Sequence, residues 1–192
     1  MLWLDKRDIR RMLTVTCVLS SGPVYSKKHV HRLEDQVSRH LNQDYQFVCV
    51  DDSPYPGWWA KISLFEPKRF SGRVLYLDLD VTVVGNLDDL VSFDAPFAAI
   101  KDYQYPMTIN SSVMVWDAGV ADHVFTEFTP SVMERFRGDQ NWINNRIPTA
   151  RRFPPEYCQS FKLAMLNGGF KPDLRVCVFH GWPKSWDLQE FL

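Results

Sequence analysis

Apolar positions fall along this chain in two alternating rhythms. Leu13 to Leu19 (Leu-Thr-Val-Thr-Cys-Val-Leu) is apolar and β-branched and stops at Ser20-Ser21-Gly22-Pro23, which predicts a strand and a turn. Between Val24 and Leu41, Val30, Leu33, Val37 and Leu41 recur three and four residues apart among polar neighbours, the spacing of an amphipathic helix. Tyr45 to Val50 predicts a second strand, ended by Asp51-Asp52-Ser53-Pro54. Strand, helix, strand in that order implies a right-handed crossover and a parallel pair.

Further along, Trp58 to Phe65 is compatible with a short helix before Pro67, and Arg73 to Leu79 predicts a third strand. Gly85 to Leu90 predicts a turn and a short helix, Pro96 to Ile100 a strand, and Asn110 to Asp117 another. Gly119 to Arg137 reads as mostly helical with an interruption near Pro130, and Asp139 to Asn145 as a helix after Gly138. From Pro148 to Pro172 the frequency of proline, glycine and basic residues predicts long loops and short strands. Val176 to Phe179 predicts a last buried strand, followed by a loop from His180 to Trp186. The alternation specifies an α/β fold with a Rossmann-like, mostly parallel central sheet flanked by helices.

A length of 192 residues suits one domain that buries a sizeable core without disulfides. The formal net charge of -1, from 22 basic and 23 acidic residues, supplies no bulk field for nucleic acid. Cys17, Cys49, Cys158 and Cys177 show no paired spacing and read as small apolar residues in a reducing compartment. No stretch reaches the roughly 18 to 20 apolar residues of a membrane span. Residues 1–12 mix apolar residues with Asp5, Lys6, Arg7, Asp8, Arg10 and Arg11, unlike a signal peptide, and are read as a short N-terminal extension. A cytoplasmic location follows as the expectation, with a peripheral contact to the inner face of a membrane through that extension as its variant. Aromatic content is high at 14%, with seven Trp; Trp58, Trp59 and Trp182 are candidates for a platform under a sugar, with core packing the competing role.

The chemistry centres on Val74-Leu75-Tyr76-Leu77-Asp78-Leu79-Asp80. Residues two apart on a strand share a face, so Asp78 and Asp80 can converge on one point while the extended geometry persists. Two carboxylates at the end of a buried strand repel unless a cation or a basic group answers them. The ends of such strands are where open α/β sheets bind ligands, whereas Asp in a turn also serves simply to satisfy backbone. His180 directly follows the last apolar strand and is either a structural hydrogen-bonding group or, with carboxylates, a ligand for Mn²⁺ or Mg²⁺. Lys184 lies four residues on in an aromatic loop suited to phosphate. Lys61, just before the aspartate strand, can reach a phosphate, pair with one of those carboxylates, or remain solvated.

Val74 to Leu90 resembles the metal-binding strand of GT-A fold glycosyltransferases, closest to the family 8 group that includes glycogenin and galactosyltransferases. Asn110-Ser111-Ser112-Val113-Met114-Val115-Trp116, Gly138-Asp139-Gln140-Asn141-Trp142-Ile143-Asn144 and His180-Gly181-Trp182-Pro183-Lys184 match that group in the same order. Ser112 stands where that strand often has glycine, and Ser185 where a proline is common. The resemblance implies a nucleotide-diphosphate sugar donor, commonly a UDP-sugar, and a divalent cation (Mn²⁺ or Mg²⁺) held by Asp78, Asp80 and His180. It places the nucleoside by Val18 to Tyr25, Ser20 included, with Asp51 and Asp52. Asn110, Asp139 and Gln140 would surround the donor sugar, with Lys184 at the diphosphate. A hexose would pass, with retention, to a hydroxyl of a carbohydrate, lipid-linked or protein acceptor. Two alternatives use the same residues: a haloacid-dehalogenase-type phosphatase with Asp78 as nucleophile and Asp80 as acid/base, and a catalytically inactive sugar-nucleotide-binding module.

Overall fold

The computed structural model describes residues 12–188, so the extension at residues 1–11 lies outside the described residues. Its main sheet has six strands in the order β2-β1-β3-β6-β5-β7: β1 Leu13–Val18, β2 Gln46–Val50, β3 Arg73–Leu77, β5 Phe97–Lys101, β6 Ile109–Asp117 and β7 Arg151–Arg152. β1 runs parallel to both β2 and β3, and β5 parallel to β7; β6 alone is reversed, antiparallel to β3 and β5. A second sheet has three short strands, ordered β4-β9-β8: β4 Thr82–Val83, β8 Cys158–Ser160 and β9 Val176–Val178.

The inner strands β1, β3, β5 and β6 are largely buried on both faces, which explains why they read as mostly apolar runs. Along β3 the alternation is visible: Leu75 and Leu77 enter one core with Val30, Leu33 and Val37 of the first helix, while Val74 and Tyr76 enter the other with Ile62, Phe65 and Trp142. That first helix, α1, is Lys27–His40, three residues shorter at its start than the periodicity implied. The backbone N–H of Ser26, the residue before it, donates to His29 Nδ1 at 3.0 Å.

The other elements are mostly short. Gly57–Phe65 is a 3-10 segment. Asp88–Val91 is α2, and the stretch expected to be helical from Gly119 divides into α3 His123–Thr126 and α4 Pro130–Arg135, with Pro130 at the first turn, where its missing N–H costs nothing. Helix α5 is Asp139–Arg146. Within the region read as loops and strands the chain also forms α6, Phe161–Leu166, capped by the Ser160 hydroxyl, which accepts from Leu163 N–H. A methyl at Gly85 would lie 2.6 Å from the Leu174 carbonyl oxygen, so only glycine lets the chain leaving β4 pass that close to the segment leading into β9.

The third strand ends sooner than its sequence indicates. Its pairing with β1 stops at Tyr76 and with β6 at Leu77. Val81 N–H then turns back to the Asp78 carbonyl at 3.3 Å, and the chain crosses into the second sheet as β4. Asp78 and Asp80 therefore occupy a turn, and the shared face expected of an extended strand does not apply to them. All four cysteines are free; three are buried, and Cys17 and Cys49 are register partners across β1 and β2. Among the described residues no helix is long and apolar enough to cross a membrane.

Candidate active site

The turn sends its two carboxylates to different cations. Asp78 meets Lys61 Nζ at 2.9 Å and accepts a hydrogen bond from the Tyr76 hydroxyl at 2.5 Å. Asp80 accepts from Lys184 Nζ at 2.5 Å and from the Tyr25 hydroxyl at 2.9 Å, and Lys184 also donates to Tyr25 Oη at 3.1 Å. Asp80 and Lys184 are both buried. Burial, followed by the charge on Asp78, raises the Asp80 pKa, against the opposing pull of Lys184. Burial raises the Tyr25 pKa as well, reinforced by Asp80, so its hydroxyl stays a donor.

A third carboxylate joins from α5. Lys61 Nζ lies 3.6 Å from Asp139 and donates to Ser111 Oγ at 3.3 Å, and the Ser111 hydroxyl donates to Asp139 Oδ2 at 2.7 Å. Burial disfavours the Lys61 ammonium, yet Asp139 and Asp78 outweigh it and raise its pKa. Gln140 extends the network: its amide donates to Asp102 Oδ2 at 2.6 Å, and its carbonyl accepts from Ser111 N–H at 3.4 Å. Three carboxylates thus face two ammonium groups around the end of β3.

A cavity of about 400 Å³ opens beside this cluster, lined by the loop Ser20–Val24, Val18, Tyr25, Trp58, Lys61 and Asp78 among others. The structure brings together Val18, Ser20, Tyr25, Lys61 and Asp78 at this cavity, with Asp80 and Lys184 joined to it through Tyr25, and Asp139 through Lys61. Four other predicted residues lie outside the lining, and three of these have partners elsewhere. Asp51 is exposed at the end of β2 outside the lining, and its neighbour Asp52 forms a surface pair with Arg69 at 3.0 Å. Asn110 turns its carboxamide oxygen to the backbone N–H of Ser112, 2.9 Å away. His180 follows β9 in the second sheet, where Nε2 lies 2.6 Å from Ser160 Oγ and the ring stacks on Tyr103 at 5.5 Å. Burial lowers its pKa, aided by Lys162 and opposed by Asp102 and Asp80.

Asp78 and Asp80 offer the hard oxygen ligands that suit Mg²⁺ or Mn²⁺. Among the described residues, no group of three or more His, Cys, Asp or Glu side chains is placed to hold a metal ion. The expected third ligand, His180, is engaged with Ser160 Oγ, and Lys184 and the Tyr25 hydroxyl both hold Asp80 Oδ2.

Four residues that sequence reading did not single out complete the site. The Arg32 guanidinium, from α1, donates to the carbonyls of Leu79 and Val81 at 2.9 and 3.2 Å and to Ser185 Oγ at 2.6 Å, gripping the backbone on both sides of Asp80. Tyr76, Ser111 and Asp102 are the others. Ser111 lies within a matched motif, but only the fold shows that it, and not Asn110, meets the charge cluster.

The α/β architecture, with its mostly parallel central sheet flanked by helices, is the GT-A fold seen in solved glycosyltransferases. No protein-family model matches the chain, and no curated protein matches it in sequence. Solved structures do. It is similar to the glycosyltransferase GlyE of Streptococcus pneumoniae TIGR4, with a TM-score of 0.67 and 16% identity over 91% of this chain and 56% of that one. It is also similar to the galactosyltransferase LgtC, solved with donor and acceptor sugar analogs, with a TM-score of 0.64 and 12% identity over 91% of this chain and 89% of that one. A glycosyltransferase involved in glycosylation of the major capsid of PBCV-1 gives a TM-score of 0.59 and 17% identity over 86% and 91%. At these identities the likeness is one of fold. The chain spans little more than half the length of GlyE.

Proposed function

We propose that this protein is a family 8-like glycosyltransferase that moves a hexosyl group from a nucleotide-diphosphate sugar, a UDP-sugar in our reading, to a hydroxyl acceptor with retention. The observation that carries this reading is the pairing of Lys61 and Lys184 with Asp78 and Asp80 beside the cavity, within a fold shared with glycosyltransferases. In the transfer, the bond from the anomeric carbon to the diphosphate oxygen breaks, a bond to the acceptor oxygen forms, and the acceptor proton leaves with the nucleotide diphosphate. The chain's task is to stabilise negative charge on the departing group in a place shielded from water. Lys184, buried and next to Tyr25, is placed to exchange its contact with Asp80 for one with the diphosphate. Lys61 and Ser111 hold Asp139, which in this reading lies near the donor sugar. Asp78 and Asp80 are the residues that would hold Mn²⁺ or Mg²⁺, which would supply Lewis-acid neutralisation of the diphosphate.

The phosphatase alternative needs Asp78 free to attack phosphorus. Lys61 and Tyr76 engage that carboxylate, and the similar solved structures are glycosyltransferases, which weighs against it. The deciding experiment incubates the protein with Mn²⁺ and a panel of UDP- and GDP-sugars and measures nucleotide diphosphate release. Release that disappears in Asp80→Asn supports transfer. Metal-dependent nucleotide binding without release indicates a binding module, and hydrolysis of a generic phosphate ester lost in Asp78→Asn would overturn the reading.

A further inference from the structure

We propose that the cleft on the far side of Trp58 binds the acceptor and that the acceptor is a saccharide of at least two rings, laid against Trp58 and Tyr105. The inference rests on the transfer reading above and names the substrate that reading leaves open.

Trp58 lines two spaces at once: the cavity beside Asp78, and an open cleft of about 850 Å³ that runs past Tyr105 and Gln140. Its indole lies across the start of α5, where a methyl added at Gly138 would come within 3.4 Å of Trp58 Nε1. Trp58 and Tyr105 are each 59% exposed. Large aromatic rings left that open to water, grouped at a concave surface, mark a binding face better than they mark a core.

The surroundings specify what the rings would cover. Asp102, Gln140, Asn141 and Arg137 share the cleft, providing acceptors and donors of both charges around the aromatic pair. A pyranose presents the complementary surface, with C–H groups on its faces and hydroxyls around its edge. An acyl chain would set hydrocarbon against Arg137 and Asn141, which is costly. Asp102 and Pro106 line both the cleft and a smaller cavity of about 290 Å³ toward α6, so the two adjoin, and the cleft's own volume leaves space for more than one ring.

The cleft is wired to the charge cluster. Gln140, on its wall, holds Asp102 by one end of its amide and the Ser111 backbone by the other, and Ser111 donates to Asp139. A hydroxyl presented past Trp58 would arrive at the Asp139 side of the donor cavity.

Saturation-transfer NMR tests this without turnover, using maltose, cellobiose, lactose and chitobiose, each beside its monosaccharide, with UDP binding in the presence of Mn²⁺ measured separately by calorimetry. The expected result is transfer to the ring protons of at least one disaccharide, stronger than to its monosaccharide. It should weaken about ten-fold in affinity in Tyr105→Ala and return in Tyr105→Phe, which keeps the ring. UDP binding with no saccharide binding, a monosaccharide bound as well as its disaccharide, or binding unchanged in Tyr105→Ala overturns this proposal and leaves the transfer reading standing. Saccharide binding with no nucleotide binding overturns the transfer reading, and the acceptor role falls with it.

Discussion

Arg32 and Ser185, 153 residues apart in sequence, are joined by a 2.6 Å hydrogen bond from guanidinium to hydroxyl. The same guanidinium holds the carbonyls of Leu79 and Val81, so one α1 side chain fixes the turn carrying Asp80 to the loop carrying Lys184. Arg32→Ala leaves these acceptors without their donor and should cost about 1–3 kcal/mol in urea-induced unfolding. Arg32→Lys should recover only part of it, because an ammonium lacks the fork that spans both carbonyls. Equal stability of wild type and Arg32→Ala would show that the grip is incidental.

Lys61 answers two carboxylates with only 13% of its side chain exposed, so its removal leaves charge with no counterpart. Lys61→Met should destabilise the protein by about 3–5 kcal/mol, the usual cost of orphaning one member of a buried pair. Adding Asp78→Asn should return part of that loss. If Lys61→Met costs under about 1 kcal/mol, the pair behaves as a surface ion pair and the buried cluster is misjudged.

The proposed metal role of Asp80, which Lys184 now holds, has a binding signature. Calorimetry should show UDP affinity rising on addition of Mn²⁺, falling to the metal-free value with a chelator, and losing its Mn²⁺ dependence in Asp80→Asn. Lys184→Ala should weaken UDP binding by about 1.5–3 kcal/mol through loss of a charge-assisted contact. Identical UDP affinity with and without Mn²⁺ would remove the divalent cation from the proposed chemistry.

His29 gives a pH dependence. Its ring lies 4.2 Å from that of Trp186, and burial, together with the nearby Arg32, lowers its pKa below the ordinary 6.5. The unfolded chain then takes up a proton at higher pH than the folded one, so stability is full above about 6.5 and declines as pH falls below it. Thermal melts between neutral pH and pH 5, read by Trp fluorescence, should show a steeper decline in wild type than in His29→Gln. Parallel curves would rule His29 out as the source.

Much of this architecture could be read from the chain because the periodic segments are also the well-packed ones. Val30, Leu33 and Val37 enter the core as their spacing required, and β1, β2 and β6 follow their apolar runs. What the chain did not disclose has several causes, the first being that a sequence shows where a strand ends but not which sheet it belongs to. His180 does end a strand, yet β9 lies in the three-stranded sheet, which delivers the imidazole to Ser160. Lys184, four residues later, has enough loop to return to Asp80. The alternation argument for Asp78 and Asp80 assumed an extended backbone, and the chain turned once its neighbours stopped pairing. Helix α6 was missed because six residues among prolines and glycines carry too little periodicity to register. Arg32 lay on the polar side of an amphipathic helix, where sequence cannot tell a solvated charge from a clamp.

The meeting of Tyr25 and Lys184 at Asp80 sets the order in which the molecule can mature. Tyr25 precedes the first helix, whereas Lys184 comes 159 residues later. During synthesis the sheet strands β1, β2, β3 and β6 are available well before that lysine, so the scaffold can pack while the charge cluster is one cation short. Contacts between such distant segments form late because loop closure opposes them. A ribosome-bound chain should therefore acquire protease resistance in its core before it acquires nucleotide affinity, and the competence of this pocket is a sign that translation has passed Lys184.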